Sequence, residues 1–444
     1  MKIKELIEAV GAEFNTNIFA DKLDKEVNIS TDTRTIKAGD FYLPLKGTSF
    51  DGEKFITQAF EKGAVGAFYT ENLPENINSN KYILLKVADT LKTYLQLANY
   101  RRNKINPTVV AVTGSSGKTT TKELIASVSQ EKYKTYKTPL NHNNEIGFCQ
   151  TIFEMPDNTQ MLVLEMGMRG LGEIELLSKY AEPDITVICN VGTAHIGRLG
   201  SKENIAKAKC EIVKYQRGNV FIAHDNELIK QTVKFNGEKI FYSIKDVNII
   251  ERQTNYSKFE YKGIVYELNV GGDYNIENAL SAINVGLKLN IPQAQIQEGL
   301  KKYHPIEKRW EGVNVGGFGI INDSYNANPE SMRAFVDTIF NLYDNYTIIL
   351  GDMGELGDNE INYHKELGKY INSHEKLNKN ATVITIGKLS ENITNEIGFC
   401  KKEHFNSIEE AIEYLKQNIS TNSKIFLKAS RSMKLERIIE GLSS

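Results

Sequence analysis

The chain has 444 residues, about three domains at about 100–200 residues each. Its 54 basic residues are matched by 56 acidic ones for a net charge of -2, which speaks against a nucleic-acid-binding surface or a polybasic membrane face. The apolar runs are short and broken by Lys, Asp or Gly, the opening segment lacks the apolar core of a secretory leader, and Cys149, Cys189, Cys210 and Cys400 show neither metal-type spacing nor a paired framework. A soluble, cytoplasmic protein with reduced thiols is expected.

Taken in order, residues 27–36 and 40–45 are expected as strands, 55–64 as a helix closed by Gly63, and 64–70 as another strand. A one-faced helix is expected over 88–102, with a domain boundary just before it, near residue 86. The β-branched run 108–114 leads through a Gly-rich turn into a helix. Residues 160–167 and 184–192 are two further strands of the fully buried type, and strands alternating with helices imply a parallel sheet. Residues 238–270 are β-rich and 275–289 return to helix. A second boundary falls near His304–Pro305, beyond which 315–325, 346–354, 381–387 and 423–430 predict another α/β unit with its own parallel sheet.

The strongest chemical signal is the turn Gly114, Ser115, Ser116, Gly117, followed by Lys118, Thr119 and Thr120. Between a buried strand and a helix, glycines let successive N–H groups face one concavity, and the helix N-terminus adds positive potential. Lys118 then reaches the β- and γ-phosphates of a nucleotide, and a hydroxyl from Thr119 or Thr120 can bind Mg²⁺. The spacing is GxxGKT, shorter than the usual phosphate loop. Glu165 and Asn190 each close a strand and are expected at the same sheet edge as the glycine turn, where ligands gather. Glu165 suits Mg²⁺; His195 is a softer group that serves as readily for capping or in the core. Lys209 falls in line with Ile205 and Ile212 on an apolar stripe, where a lysine either snorkels to water or pairs or changes its chemistry; Lys207 faces water.

Together these segments resemble the Mur ligase family, the ATP-dependent amino-acid ligases of peptidoglycan precursor synthesis, over nearly the whole chain. TGSSGKTTT (113–121) resembles the family's phosphate loop. LEMGMRGLGEI (164–174) and NVGTAHIGRLGS (190–201) resemble its two central metal-site segments, and AKAKCEI (206–212) the segment bearing its carbamoylated lysine, at Lys209. The resemblance implies base contacts from Asn275 and Asn278, an arginine reaching ATP at Arg309, and a ribose-side acid at Asp323. TPLNHNNEIG (138–147), NDSYNANPESMRA (322–334) and LGDMGELG (350–357) are similar to the branch that adds D-alanyl-D-alanine to UDP-N-acetylmuramoyl-tripeptide through an acyl phosphate.

For the fold, the resemblance implies three α/β domains. These are a UDP-precursor-binding domain at 1–86, a central ATP-binding domain with a P-loop-type parallel sheet at 87–305, and a Rossmann-like domain at 306–444 that closes over ATP and binds the dipeptide. Thr33, Arg34, Gly47, Asp51 and Gly52 would hold the UDP moiety. Thr138, Asn141, Asn143 and Asn144 would face the muramoyl-peptide, and Asn326 and Asn328 the dipeptide. ATP and two Mg²⁺ are the implied cofactors, one ion at Thr119, Thr120 and Glu165 and one near His195 and carbamoylated Lys209. No nucleic-acid partner or membrane insertion is expected, and a monomer is. The chain departs from the family pattern at Glu53, where histidine is usual, and at Lys308 and Ala429, where glycine is. A folylpolyglutamate-type ligase and a non-catalytic ATP-binding homologue are the alternatives. The UDP-type opening and Thr119–Thr120 disfavour the first; Lys118, Glu165, His195 and Lys209 disfavour the second.

Overall fold

The computed structural model describes residues 1–12, 19–47, 50–71, 73, 77–306, 308–374, 376, 380–421 and 423–443. Its described strands form four sheets. The first is a parallel sheet of Ile29–Ser30, Phe41–Tyr42, Gly66–Tyr69 and Ile83–Lys86, in that order. The strands expected over 27–36 and 40–45 shrink to Ile29–Ser30 and Phe41–Tyr42, the first because the chain turns at Asp32. Its carboxylate accepts the Arg34 N–H at 2.8 Å and its carbonyl the Thr35 N–H at 3.2 Å, an aspartate turn that interrupts extended structure.

The second sheet is wholly parallel, ordered Glu238–Tyr242, Val220–His224, Ile185–Ile188, Thr108–Thr113, Met161–Glu165 and Thr135–Lys137. Alternate residues of its central strand serve different cores. Val110 and Val112 join a cluster reaching into the C-terminal region, while Val109 and Ala111 join one shared with the N-terminal region. Both faces of this strand are therefore covered, which is why 108–113 is a continuous apolar run rather than an alternating one. The rest of the β-rich patch is a separate antiparallel sheet, Val247–Gln253, Tyr256–Tyr261 and Ile264–Leu268.

The fourth sheet runs Glu311–Val315, Phe318–Asn322, Lys424–Lys428, Tyr346–Gly351, Thr382–Ile386, Lys401–Phe405. It is not purely parallel as expected: its first two strands form an antiparallel hairpin. Gly316 and Gly317 both have positive φ, 55° and 84°, the backbone of a tight two-residue hairpin turn. Lys401–Phe405, charged and at the sheet edge, carries no apolar run for a sequence reading to detect.

Among the described residues no helix is long and apolar enough to cross a membrane.

Candidate active site

Strands Thr108–Thr113, Met161–Glu165 and Ile185–Ile188 are parallel neighbours, so their carboxyl ends meet at one sheet edge. There a cavity of about 1000 Å³ lies between the central sheet and the C-terminal region. Ser115, Ser116, Gly117, Lys118, Thr119 and Thr120 line it, as do Glu165, His195, Asn275, Asn278, Arg309 and Asp323. Asn141, Asn143, Asn144, Asn326 and Asn328 line it too.

The glycine turn is shaped by close approaches. Gly117 has φ 76°, and a Cβ there would stand 2.5 Å from Asn278 Oδ1; a Cβ at Gly114 would meet the Cys189 side chain at 2.9 Å. The amides of Ser115 and Ser116 converge, and the oxygen at their focus is Asn190 Oδ1, 3.0 Å from each nitrogen. Asn190 Nδ2 in turn donates to Ser116 Oγ at 2.9 Å. The helix Lys118–Gln130 follows, and the amides of its first turn have no intrahelical acceptor. Lys118 Nζ donates to the Gly114 carbonyl at 2.9 Å. Burial pushes its pKa down, and the Glu165 charge opposes that shift.

Glu165 is 4% exposed. Its Oε1 accepts from Asn143 Nδ2 at 2.9 Å, its backbone N–H donates to Thr138 Oγ1 at 3.0 Å, and its Oε2 is buried without a hydrogen-bond donor. Thr138 thus supports Glu165 from behind and does not line the cavity. Asn144 caps the helix Glu145–Glu154 through Gly147 N–H, and Asn328 caps Pro329–Leu342 through Ser331 N–H. Both asparagines therefore have structural work besides any contact with a ligand.

His195 adopts a left-handed backbone, φ 66°, at the start of a short turn of helix, and its Nδ1 lies 2.6 Å from Glu355 Oε2. Lys209 is 1% exposed on the helix Lys202–Cys210. It stands behind the cavity wall rather than on it, within electrostatic reach of Lys118. Burial first, and then the Lys118 charge, hold its pKa well below the ordinary lysine range. The helix does not continue to Ile212 as expected: Glu211–Val213 is a tighter 3₁₀ turn. Within that turn the Glu211 carboxylate accepts the N–H groups of Gly172 and Glu175 at the start of the helix Glu173–Ala181.

From the C-terminal side, the Arg309 guanidinium donates to Thr119 Oγ1 at 2.9 Å and stacks 3.9 Å over the Tyr325 ring. Asp323 is paired with the buried Lys428 at 2.6 Å and accepts from Trp310 N–H at 3.2 Å. The Asn326 carbonyl also accepts from Lys428, at 3.2 Å. Glu330 reaches the central region, where its Oε2 accepts from the Thr193 N–H at 2.9 Å and hydroxyl at 2.7 Å.

The five N-terminal candidates lie off this cavity. Arg34 is engaged with Asp32, with Nη2 2.6 Å from Oδ2. Thr33 Oγ1 donates to Gln58 at 2.8 Å, and Asp51 caps the turn Gly52–Phe55 through Glu53 N–H. Gly52 sits against Leu45 backbone, where a Cβ would come within 2.8 Å, and the Gly47 N–H donates to Phe50 O at 2.8 Å. Residues 48 and 49 of this loop lie outside the described residues. Glu53 fastens the loop to the next strand by accepting the Thr70 N–H and hydroxyl, each at 2.7 Å.

Three family models cover most of the chain: "Mur ligase family, catalytic domain" over 27–102, "Mur ligase middle domain" over 112–286, and "Mur ligase, glutamate ligase domain" over 308–431. The chain belongs to the Mur ligase family. Among Mur ligases it is 37% identical to the UDP-N-acetylmuramoyl-tripeptide--D-alanyl-D-alanine ligase of Bacillus subtilis, over 93% of this chain and 92% of that one. The structure of MurF from Acinetobacter baumannii superposes with a TM-score of 0.87 at 28% identity, covering 100% of this chain and 98% of that chain. The Thermotoga maritima MurF ligase in complex with ADP gives 0.82 at 26% identity, covering 94% and 97%. In this Mur ligase the site draws on groups that the sequence pattern did not single out. Glu330 lines the cavity and Glu355 contacts His195, both inside quoted motifs, whereas Lys122, off the lining and 3.8 Å from Glu165, carried no signal of burial.

Proposed function

We propose that this chain is an ATP-dependent, ADP-forming ligase that joins D-alanyl-D-alanine to UDP-N-acetylmuramoyl-tripeptide in peptidoglycan synthesis. The observation that carries the proposal is the meeting of Lys118, Glu165, His195 and Arg309 on one cavity in a chain so similar to ligases of that name. The domain roles follow: 1–86 for the UDP end of the acceptor, 87–305 for ATP, and 306–444 for closure and the dipeptide. The cytoplasm, where ATP and the nucleotide-linked precursor are found, is its proposed location.

A free carboxylate does not react with an amine, because oxide is no leaving group. A carboxylate oxygen of the tripeptide therefore attacks the γ-phosphorus of ATP, giving an acyl phosphate and ADP. The dipeptide amine then adds to the acyl carbon, and collapse of the tetrahedral intermediate expels phosphate and a proton. Two anions must meet in the first step, so cations have to offset their repulsion. Lys118 and Arg309 would supply this at the triphosphate, with Asn275 and Asn278 proposed at the base side and Asp323 at the ribose; all five line the one cavity. Asn141, Asn143 and Asn144 are proposed to face the acceptor peptide, and Asn326 and Asn328 the dipeptide.

Mg²⁺ is tested by the donors present. The buried Glu165 Oε2 has no hydrogen-bond donor, and Thr119 and Thr120, in the first turn of the helix Lys118–Gln130, line the same cavity. Among the described residues no group of three or more His, Cys, Asp or Glu could hold a metal alone. That suits Mg²⁺, which takes one or two carboxylates and completes its shell from phosphate and water. Bound there, it would neutralise phosphate charge. A second ion is proposed at His195 and Lys209, the latter carbamoylated. The depressed pKa favours a free amine, the form that adds CO₂ with loss of a proton to become an oxygen ligand. The carbamate is longer than the amine, which suits a lysine set behind the wall.

The test is phosphate release from ATP and Mg²⁺ with D-alanyl-D-alanine and a UDP-muramoyl-tripeptide carrying either lysine or diaminopimelate. Release dependent on both substrates is expected. Release with neither, or none at all, overturns the assignment.

A further inference from the structure

Lys122 lies one helical turn beyond Lys118 on the same helix, does not line the cavity, and is 1% exposed. A fully buried ammonium is costly unless it is paired and hydrogen-bonded. Its Nζ donates to the Thr138 carbonyl at 2.7 Å, lies 3.5 Å from the Leu140 carbonyl, and pairs with Glu123 Oε1 at 3.2 Å. The remaining neighbour is Glu165 Oε2, at 3.8 Å. That separation gives strong charge compensation in a poorly solvated site, yet it is too long for a hydrogen bond. The same Oε2 is buried and without a donor, while Oε1 is taken by Asn143. The carboxylate is therefore neutralised from a distance, with one oxygen left unoccupied.

We infer that Lys122 is a positioning residue for metal–nucleotide binding. It offsets the buried charge of Glu165 without covering Oε2, and it pins the Thr138–Leu140 turn that supports Glu165 from behind and leads into Asn141 and Asn143. Glu123 and the two carbonyls hold the ammonium at this stand-off. An ammonium free to advance would hydrogen-bond Oε2 and compete with a cation for it. This inference rests on the proposed role of Glu165 toward Mg²⁺.

The experiment measures ADP binding by titration calorimetry, with and without Mn²⁺, for the full chain and for Lys122→Met and Glu123→Gln, with circular dichroism to verify folding. The parent protein is expected to bind ADP more tightly when Mn²⁺ is present; if it does not, the Glu165 metal assignment itself fails. Given that enhancement, Lys122→Met should lose about tenfold or more in Mn²⁺-supported affinity, the usual effect of removing an outer partner of a metal ligand. Its metal-free ADP affinity should stay within about twofold. Glu123→Gln should show the same selective loss, smaller in size, and carries the test if Lys122→Met does not fold. Folded variants that keep the full Mn²⁺ enhancement, or that lose metal-free and metal-supported binding alike, overturn the inference.

Discussion

A buried lysine with no carboxylate in ion-pair range among the described residues, as Lys209 is, calls for a chemical explanation rather than a packing one. If its amine becomes a carbamate, Lys209→Ala should lower phosphate release by at least about a hundredfold, the scale of losing a metal ligand's support. Added bicarbonate should leave that variant inactive, and a short carboxylic acid should partly restore it. Full activity in the alanine variant would dismiss the carbamate. The same scale explains Gly117. Its φ of 76° and the nearness of Asn278 leave no room for a methyl group. Gly117→Ala should cost about 1–2 kcal/mol in unfolding free energy from the backbone alone. Calorimetry should also show weakened ADP binding, because the loop must shift away from Asn278.

At the scale of elements, the helix Pro329–Leu342 docks on the central region through Glu330. Burial raises the pKa of its carboxyl, but the Thr193 hydroxyl and N–H outweigh that, and Lys202 at 3.2 Å adds to them, so the net shift is downward. A carboxyl depressed in the folded state contributes stability above the ordinary glutamate range, and that contribution disappears as pH falls through its lowered value. The contact between the two regions should therefore weaken on acidification below about pH 4. Urea unfolding followed by Trp310 fluorescence should show this slope in the parent protein and a shallower one in Glu330→Gln. Identical slopes would remove Glu330 from the docking contact. Trp310 is a clean reporter, being the single tryptophan of the chain, buried, with its indole N–H donated to Thr254 O at 2.7 Å.

For the molecule as a whole, the cavity exists because two sheets from distant parts of the chain meet across it. The two regions approach closely at Gly197 and Gly357, where a Cβ on Gly197 would come within 2.6 Å of the Gly357 nitrogen. The Gly197 N–H donates to Glu355 O at 3.2 Å, beside the His195–Glu355 contact. Gly197→Val should wedge the two regions apart and move Arg309 from Thr119. Displacements of this kind cost about a hundredfold in rate, so kcat/KM for ATP should fall on that order while the thermal midpoint changes little. A variant with normal kinetics would mean that this approach is dispensable for turnover.

The sequence by itself determined the elements whose cause is local. The β-branched run 108–113, the glycine turn, the lysine after it and the ordered motifs announce a nucleotide-binding α/β ligase, because backbone conformation and phosphate chemistry constrain residues close together in the chain. It also marked Lys209 as out of place on an apolar stripe, and Ile205, Lys209 and Ile212 are all buried although the helix gives way to a 3₁₀ turn after Cys210. The tertiary structure alone decided which charges face one another. Asn190 holds the loop amides, Glu211 accepts the amides at the start of the helix Glu173–Ala181, and Lys122 stands beside Glu165. Those partners lie tens of residues apart, and whether a lysine meets water or a buried carboxylate depends on sheet order and packing, which no local pattern encodes.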